Sequence, residues 1–165
     1  MIYVFMYLAA IVAANVSVSL FGPGVTVVNA FLFIGFNLTA RDRLHDAWHG
    51  RNLRRNMALL ILTGAALSAL FGAGRIALAS FVAFALSEAV DTVIYQMLGN
   101  RAKLVQVNGS NVVSAAVDSI VFPALAFGWP LLWLVMAGQF VAKVGGGAVW
   151  SLALNRNNEE VMPNT

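Results

Sequence analysis

Long apolar runs separated by short glycine- and proline-containing breaks are the feature that most constrains how this chain can fold. Hydrophobic residues make up 60% of the 165 residues and charged residues only 10%, whereas soluble domains carry about 25% charged residues. A backbone that crosses a bilayer must satisfy its own hydrogen bonds, and an α-helix does so within a single segment. The pattern therefore predicts an all-α, polytopic membrane helical bundle.

Six candidate transmembrane helices follow from the requirement for about 20 predominantly apolar residues each. Gly22-Pro23-Gly24, Gly72-Ala73-Gly74 and Gly128-Trp129-Pro130 are turn signals that mark three of the boundaries. We expect one transmembrane domain over residues 1–154 and a disordered cytoplasmic tail over residues 155–165. The candidate spans cover approximately residues 2–21, 25–40, 56–71, 75–98, 111–127 and 131–154.

Basic residues are concentrated in the connections on one side of the predicted bundle, and the opposite side has only Arg75. Because positively charged loops stay in the cytoplasm, we expect a multi-pass protein of the inner (cytoplasmic) membrane with both termini cytoplasmic. The residues that set this orientation are Arg41, Arg43, Arg51, Arg54, Arg55, Arg101, Lys103 and Arg156.

The same clusters account for the net charge of +3, and this suits orientation in a bilayer better than nucleic-acid binding. Aromatic residues are not interleaved with a basic stripe, as a surface for single-stranded nucleic acid requires. We therefore expect contacts with membrane lipid and none with nucleic acid. The chain has no cysteine, so it has neither a disulfide framework nor thiol chemistry.

A short acidic phrase occurs twice, as SEAVDTVIY at residues 87–95 and as SAAVDSIVF at residues 114–122. Each copy places a carboxylate inside an apolar span, where an ionisable group is costly and usually functional. The copies lie on consecutive predicted spans, so spans four and five are expected to form an inverted pair that runs in opposite directions through the membrane.

Three ionisable side chains on three spans are expected at a similar depth. At the helical rise per residue, Asp91, Asp118 and Lys143 lie about 12, 13 and 16 Å from the cytoplasmic ends of their spans. Each would cost at least about a few kcal/mol if unpaired in hydrocarbon. We therefore predict that Lys143 pairs with Asp118 or Asp91, with Glu88 as a further candidate.

Polar and aromatic neighbours of these groups fall on single helical faces at i, i+3 and i+4 spacing. Carboxylates accept hydrogen bonds from ring N–H and amino groups, and aromatic faces stack on rings, so the faces favour a small, flat, polar solute. Small polar residues such as Asn15, Ser68, Ser80 and Ser151 are interpreted instead as contacts between helices. The candidate substrate-binding residues are Phe84, Ser87, Glu88, Asp91, Tyr95, Asn111, Ser114, Asp118, Phe122, Gln139, Lys143 and Asn37.

Two further stretches carry specific hypotheses. Gly145-Gly146-Gly147 either allows a close helix approach or lets the last span bend. His45 and His49, four apart, imitate part of a zincin pattern, but Asp46 is shorter than the usual Glu base and no third ligand is evident. We expect no metal and no cofactor. Arg41, Asp42 and Asp46 are instead predicted to form ion pairs at the cytoplasmic mouth, either as a structural latch or as a gate.

Four segments, taken together, resemble the vitamin-uptake-transporter-like family of queuosine precursor transporters, and they cover most of the chain. The first matches an acidic-x-x-x-acidic-x-aromatic-Gly-basic signature followed by two arginines, with His49 as an extra residue, Arg43 in an apolar position and Asp46 in place of the usual Glu. The matching residues are Asp42, Asp46, Trp48, Gly50, Arg51, Arg54 and Arg55 in the first segment, residues 75–80 with Ser87 and Asp91 in the second, residues 108–110 with Ser114, Asp118, Ser119 and Phe122 in the third, and Lys143 in the fourth.

The resemblance implies a transporter, not an enzyme, that imports a 7-deazaguanine precursor of modified tRNA bases, such as 7-cyano-7-deazaguanine or its aminomethyl analogue. It implies that Asp91 and Asp118 accept from the guanine-like edge and that Lys143 keeps the carboxylates ionised or contacts the carbonyl. The stacking ring would be that of Phe84, Tyr95 or Phe122. We expect alternating access around a midplane site built on the inverted pair.

Three other functions remain open at this stage. The chain could be the substrate-binding subunit of an energy-coupling vitamin importer, which needs ATPase partners to transport. It could be a membrane enzyme that uses Asp91 and Asp118 as an acid–base dyad, although it has neither a Tyr-Asp nor a Gly-x-Gly-Asp motif. It could also be a structural membrane protein. The identity of the deazapurine, ion coupling and the formation of a homodimer are open as well.

Overall fold

The computed structural model describes residues 2–48, 52–99 and 101–159, and the regular structure in these ranges is helical. A 3-10 turn follows the first helix, and a wide π-helical turn, here called the first π turn, continues the second helix into the third. A kink with non-helical φ and ψ angles at Phe71 and Gly72 separates the fourth helix from the fifth. The elements are α1 (Ile2–Phe21), the 3-10 turn (Gly22–Val25), α2 (Thr26–Asn29), the first π turn (Ala30–Ile34), α3 (Gly35–Trp48), α4 (Leu53–Ser68), the kink (Ala69–Ala73), α5 (Gly74–Met97), α6 (Lys103–Phe127) and α7 (Trp133–Glu159).

Glycines form the three breaks that the sequence predicts. Gly22, Gly72 and Gly128 have φ angles of +72°, +88° and +75°, a conformation that costs glycine little because it lacks a Cβ atom. By contrast, α7 runs without interruption through the three glycines at 145–147. The stretch therefore does not interrupt the helix, and Gly146 within it allows a close approach of another backbone.

The observed helix bounds agree closely with the expected spans except around α6 and α7. α6 begins at Lys103 and not near Asn111, because Gly109 belongs to a packed helix: a Cβ atom there would lie 2.9 Å from Leu98 Cδ1. α7 continues to Glu159 and so includes the first residues of the expected tail. Residues 160–165 lie outside the described part of the chain.

Within the described ranges, three stretches are long and apolar enough to cross a membrane, judged by length and composition. They are Ile2–Asn37 with 36 residues, Arg55–Met97 with 43 and Asn108–Phe127 with 20. A single crossing needs about 20 residues, and the two longer stretches each contain a positive-φ glycine near the middle. Each of these two stretches is therefore interrupted by a break at the glycine.

Apolar side chains cover the outside of the bundle, and polar side chains are buried inside it. Trp129, Leu134 and Leu70 are 84%, 90% and 82% exposed, as expected of residues that face lipid. The interior instead holds amides, hydroxyls and charges, which must find partners there because lipid offers none. The buried polar residues include Asn15, Thr26, Asn29, Asn37, Arg41, Ser68, Gln139 and Lys143.

The helices pack mainly as sequence neighbours, with α7 closing the bundle. α5 and α6 form a tightly packed hairpin, α1 packs against α3 and α4, and α7 packs against α3, the first π turn and α6. The approach of α7 to the first π turn is very close: a Cβ atom on Gly146 would lie 2.5 Å from the Phe31 carbonyl oxygen, and one on Gly35 would lie 2.7 Å from the Gly146 carbonyl carbon.

Gly146→Ala is therefore expected to destabilise the bundle, whereas Gly145→Ala should not. The added methyl at 146 meets backbone atoms that cannot move aside, and overpacking of this kind costs about 1–3 kcal/mol. A methyl at 145 meets nothing within 4 Å. Thermal unfolding of the purified variants in detergent measures the difference, and equal melting temperatures for the two variants would contradict the observed helix contact.

Candidate functional site

A cavity in the centre of the bundle, here called the main chamber, encloses about 790 Å³, part of it open to the outside. Residues of α1, α3, α4, α5, α6 and α7 all line it. Polar wall residues lie beside the rings of Tyr7, Phe81 and Phe84, so the chamber offers both hydrogen bonds and stacking surfaces.

An ion pair between Arg41 and Glu88 forms one end of the main chamber and joins α3 to α5. The Arg41 guanidinium donates from Nη1 to Glu88 Oε1, and it also donates from Nη2 to Asn111 Oδ1 on α6 at 3.1 Å. The Arg41 side chain is 7% exposed and the Glu88 side chain is 29% exposed. Three helices are therefore held together by one arginine.

A second ion pair joins α6 to α7. Lys143 Nζ donates to Asp118 Oδ2 at 2.6 Å and to Gln139 Oε1 at 3.2 Å. The Lys143 side chain is only 3% exposed, so the carboxylate supplies the charge compensation that a buried ammonium needs. The sequence left Asp118, Asp91 and Glu88 open as partners for Lys143, and the structure pairs it with Asp118.

The charges in the main chamber balance. Among the described residues, its charged lining side chains are Arg41, Glu88, Asp118 and Lys143. Two are cationic and two are anionic, and each cation is bonded to an anion. A neutral guest would leave this balance intact, whereas a charged guest would add an uncompensated charge in a low-dielectric interior.

A smaller cavity of about 370 Å³, here called the second chamber, adjoins the main chamber. Its lining includes Val18, Thr26, Asn29, Phe122 and Gln139. The Asn29 amide is already engaged, because Nδ2 donates to Ser17 Oγ at 2.7 Å and to the Ala14 carbonyl at 3.2 Å. This chamber therefore has a polar wall that is partly used by the fold itself.

Asn37 lines the main chamber and Gln139 lines the second chamber. Asn37 Oδ1 and Gln139 Nε2 are buried and have no hydrogen-bond partner among the described residues. An unsatisfied buried polar atom costs about 1–3 kcal/mol. Such atoms are natural contacts for a bound polar molecule, which would supply the missing partner.

Most of the residues that the sequence singled out lie around these chambers. Tyr95 is 38% exposed, and Asp91 lines neither chamber although its buried Oδ1 has no hydrogen-bond partner in the described part of the chain. The side chains of Asp42, His45 and Asp46, and all of His49, lie outside the described residues. The lining residues are Asn37, Arg41, Phe84, Ser87, Glu88 and Ser114 in the main chamber, Phe122 and Gln139 in the second, and Asp118 and Lys143 in both, while Asn111 reaches the site through Arg41.

Sequence reasoning did not assign Tyr7, Asn15, Ser80 or Phe81 to the site, although all four line the main chamber. Asn15 and Ser80 were interpreted as helix contacts, and Asn15 does donate to Ser68 at 3.0 Å. Asn15 nevertheless lines both chambers. The available signal was the i, i+4, i+8 spacing of Tyr7, Ile11 and Asn15 on α1, which places a ring and an amide on one face.

An apolar-surfaced helical bundle with a polar internal cavity is the architecture of a membrane protein. A family model described as "Putative vitamin uptake transporter" matches residues 1–152, and the chain therefore belongs to the vitamin uptake transporter family. This family assignment agrees with the resemblance seen in the sequence and with a transporter rather than an enzyme. No curated protein and no solved structure matches the chain.

Lys143→Met alone is expected to destabilise the protein more than Lys143→Met combined with Asp118→Asn. The single change leaves the Asp118 carboxylate without its cation, and breaking a buried pair in this way costs about 3–5 kcal/mol. The second change removes the stranded charge. Thermal unfolding of both variants in detergent measures the order, and a double variant less stable than the single one would show that the pair does not compensate charge.

Proposed function

We propose that this chain imports a 7-deazaguanine precursor of queuosine, and that the main chamber is the solute-binding site. Membership of the vitamin uptake transporter family supports small-molecule uptake, and the ordered signatures at residues 42–55, 75–91, 108–122 and 143 support the deazapurine class. The observation that carries the proposal is the main chamber itself, where carboxylates and aromatic rings from different helices surround one space.

The donor and acceptor pattern of the main chamber suits a guanine-like edge. Ring N–H and amino groups donate, and the chamber offers the carboxylates of Glu88 and Asp118 together with the free Oδ1 of Asn37 as acceptors. Phe81, Phe84 and Tyr7 supply faces on which a flat ring can stack. Hydrogen bonds to ionised carboxylates are the stronger kind, so Glu88 and Asp118 would set the orientation of the ring.

Charge balance in the chamber favours the cyano over the aminomethyl form. 7-Cyano-7-deazaguanine is neutral, while an aminomethyl group is a cation near pH 7. The lining pairs Arg41–Glu88 and Asp118–Lys143 already compensate each other. A cationic guest would therefore have to weaken one of the pairs, and we propose the neutral deazapurine as the preferred solute.

We further propose six membrane crossings with both termini in the cytoplasm of the inner membrane. The stretches Ile2–Asn37 and Arg55–Met97 would each cross twice, reversing at the positive-φ glycines Gly22 and Gly72. α6 and α7 would each cross once, and α5 with α6 would be the inverted pair. The basic residues then lie on the cytoplasmic side, next to the tail over residues 155–165.

Reporter fusions test this topology. A reporter that is active only in the cytoplasm should be active at both ends of the chain and inactive when inserted at Pro23 or Trp129, which lie in exposed breaks. The proposed topology places these two breaks on the outer side. Active insertions together with inactive terminal fusions would show that the orientation is the reverse of the proposed one. Opposite results for the two termini would exclude an even number of crossings.

Uptake of radiolabelled 7-cyano-7-deazaguanine by cells that lack their own importer and their own synthesis tests the function. Asp118→Asn should lower uptake at least about tenfold, because a charge-assisted hydrogen bond contributes about 1.5–3 kcal/mol. Asp91→Asn is the informative comparison, since Asp91 lines neither chamber. A larger loss of uptake in Asp91→Asn than in Asp118→Asn would indicate that the solute binds outside the main chamber.

Thermal unfolding of the purified protein with and without deazapurines separates transport from other functions. A bound solute stabilises the folded state by mass action, so 7-cyano-7-deazaguanine should raise the melting temperature. Stabilisation together with uptake only when an ATPase partner is present would identify a binding subunit of an energy-coupling importer. The absence of stabilisation by any deazapurine would contradict the proposed solute class.

A further inference from the structure

The two chambers meet at one wall inside the bundle. Five residues from five helical segments line both chambers, and this shared set defines the wall. Two of the five form the buried ion pair between α6 and α7, which is closed at 2.6 Å. The wall residues are Asn15, Ile34, Ser80, Asp118 and Lys143.

The chambers are stacked along the helix axes. On α1, Tyr7 lines only the main chamber and Val18 only the second, with Asn15 at the wall between them. On α6, Ser114 lines only the main chamber and Phe122 only the second, and Asp118 lies between. A solute that travels along the bundle from one chamber to the other must therefore pass Asp118 and its partner Lys143.

Lys143 has a second hydrogen-bond partner, and that partner belongs to the second chamber. Gln139 Oε1 accepts from Lys143 Nζ at 3.2 Å, one helical turn away on α7. When Asp118 turns toward a solute, Lys143 can keep its bond to Gln139. The ion pair can therefore open while the Lys143 ammonium keeps one hydrogen-bond partner. A buried charge needs such a partner, because an uncompensated buried charge is costly.

Gln139, which lines the second chamber, has a donor without a partner. Its side chain is 2% exposed, and its Nε2 has no hydrogen-bond partner in the described ranges. Two neighbouring polar groups are already engaged: Thr26 Oγ1 donates to the Pro23 carbonyl at 2.7 Å, and the Asn29 amide donates to Ser17 and Ala14. Gln139 Nε2 can therefore donate a hydrogen bond to an acceptor group of a bound molecule, such as a carbonyl, a ring nitrogen or a nitrile.

We propose that the second chamber is a second binding site for the transported solute, and that the Asp118–Lys143 ion pair is the barrier between the two sites. Gln139 Nε2 donates a hydrogen bond to an acceptor group of the solute in the second chamber. Gln139 Oε1 accepts from Lys143 while the Asp118–Lys143 pair is open. The inference rests on the proposed function for the identity of the solute. The barrier itself can be tested without any solute.

The absence of cysteine from the chain makes single-cysteine variants a direct test of the barrier. Ser87→Cys reports on the main chamber and Val18→Cys on the second chamber. A charged, membrane-impermeant thiol reagent applied to oriented membrane vesicles should label the two cysteines from opposite faces, each at least about tenfold faster than from the other face. Val141→Cys, 68% exposed on the outer surface of α7, faces lipid and is the control, because the charged reagent should label it only slowly from either face.

Removing the barrier should abolish this sidedness. In an Asp118→Ala, Lys143→Ala background, Ser87→Cys and Val18→Cys should each become reactive from both faces. Asp118→Asn keeps the side-chain shape and weakens the pair, so it should give a smaller change in the same direction if the double variant does not accumulate. Labelling of both cysteines from one face in the native background, no labelling of Val18→Cys from either face, or unchanged sidedness without the pair would overturn the barrier.

Protection by the solute tests the second site. 7-Cyano-7-deazaguanine should slow labelling of both cysteines, and Gln139→Met should remove protection at Val18→Cys while keeping it at Ser87→Cys. Protection at Ser87→Cys alone in the native background would reduce the second chamber to a passage and overturn its role as a binding site. Protection at neither cysteine, with the sidedness intact, would count against the deazapurine and not against the barrier.

Discussion

Charge pairing inside the bundle is the constraint on which the rest of the structure depends. An ionised side chain is costly in a membrane interior, and a buried pair is tolerable only when both members are present and well bonded. Arg41 with Glu88 and Lys143 with Asp118 meet this condition. The two pairs join α3 to α5 and α6 to α7, so the atoms that make the main chamber polar are the same atoms that hold its walls together.

Close backbone contacts place one of these pairs. Gly146 lies against the Phe31 carbonyl so tightly that a Cβ atom would come within 2.5 Å of it, and this contact fixes the depth and rotation of α7 against the first π turn. Lys143 lies one turn earlier on the same helix, and it therefore reaches the wall shared by the two chambers. A π turn at this place agrees with the frequent occurrence of such turns at functional sites.

The limits of helical periodicity explain which site residues could be read from the sequence. Glu88, Asp118 and Lys143 were identified because a charge inside an apolar span stands out by its cost. Asp91 shares that signal, but it lies beyond Glu88, the last α5 residue in the lining of the main chamber, and it lines neither chamber. Arg41 was expected at the mouth as part of a gate, yet it lines the main chamber beside Glu88. Tyr7 is uncharged, so its presence in an apolar helix is not costly and does not stand out in the sequence. Only its position in the structure identifies it as a site residue.

The sequence by itself determined the all-helical architecture, the glycine breaks and the set of polar groups that must be buried, because these follow from local hydropathy, backbone hydrogen bonding and the conformational freedom of glycine. The tertiary structure decided which charge pairs with which, how the space divides into two chambers and which polar atoms are left without a partner. The periodicity of one helix gives directions around its own axis only. The rotation and depth of one helix against another depend on contacts such as Gly146 with Phe31, and these exist only once the helices have packed.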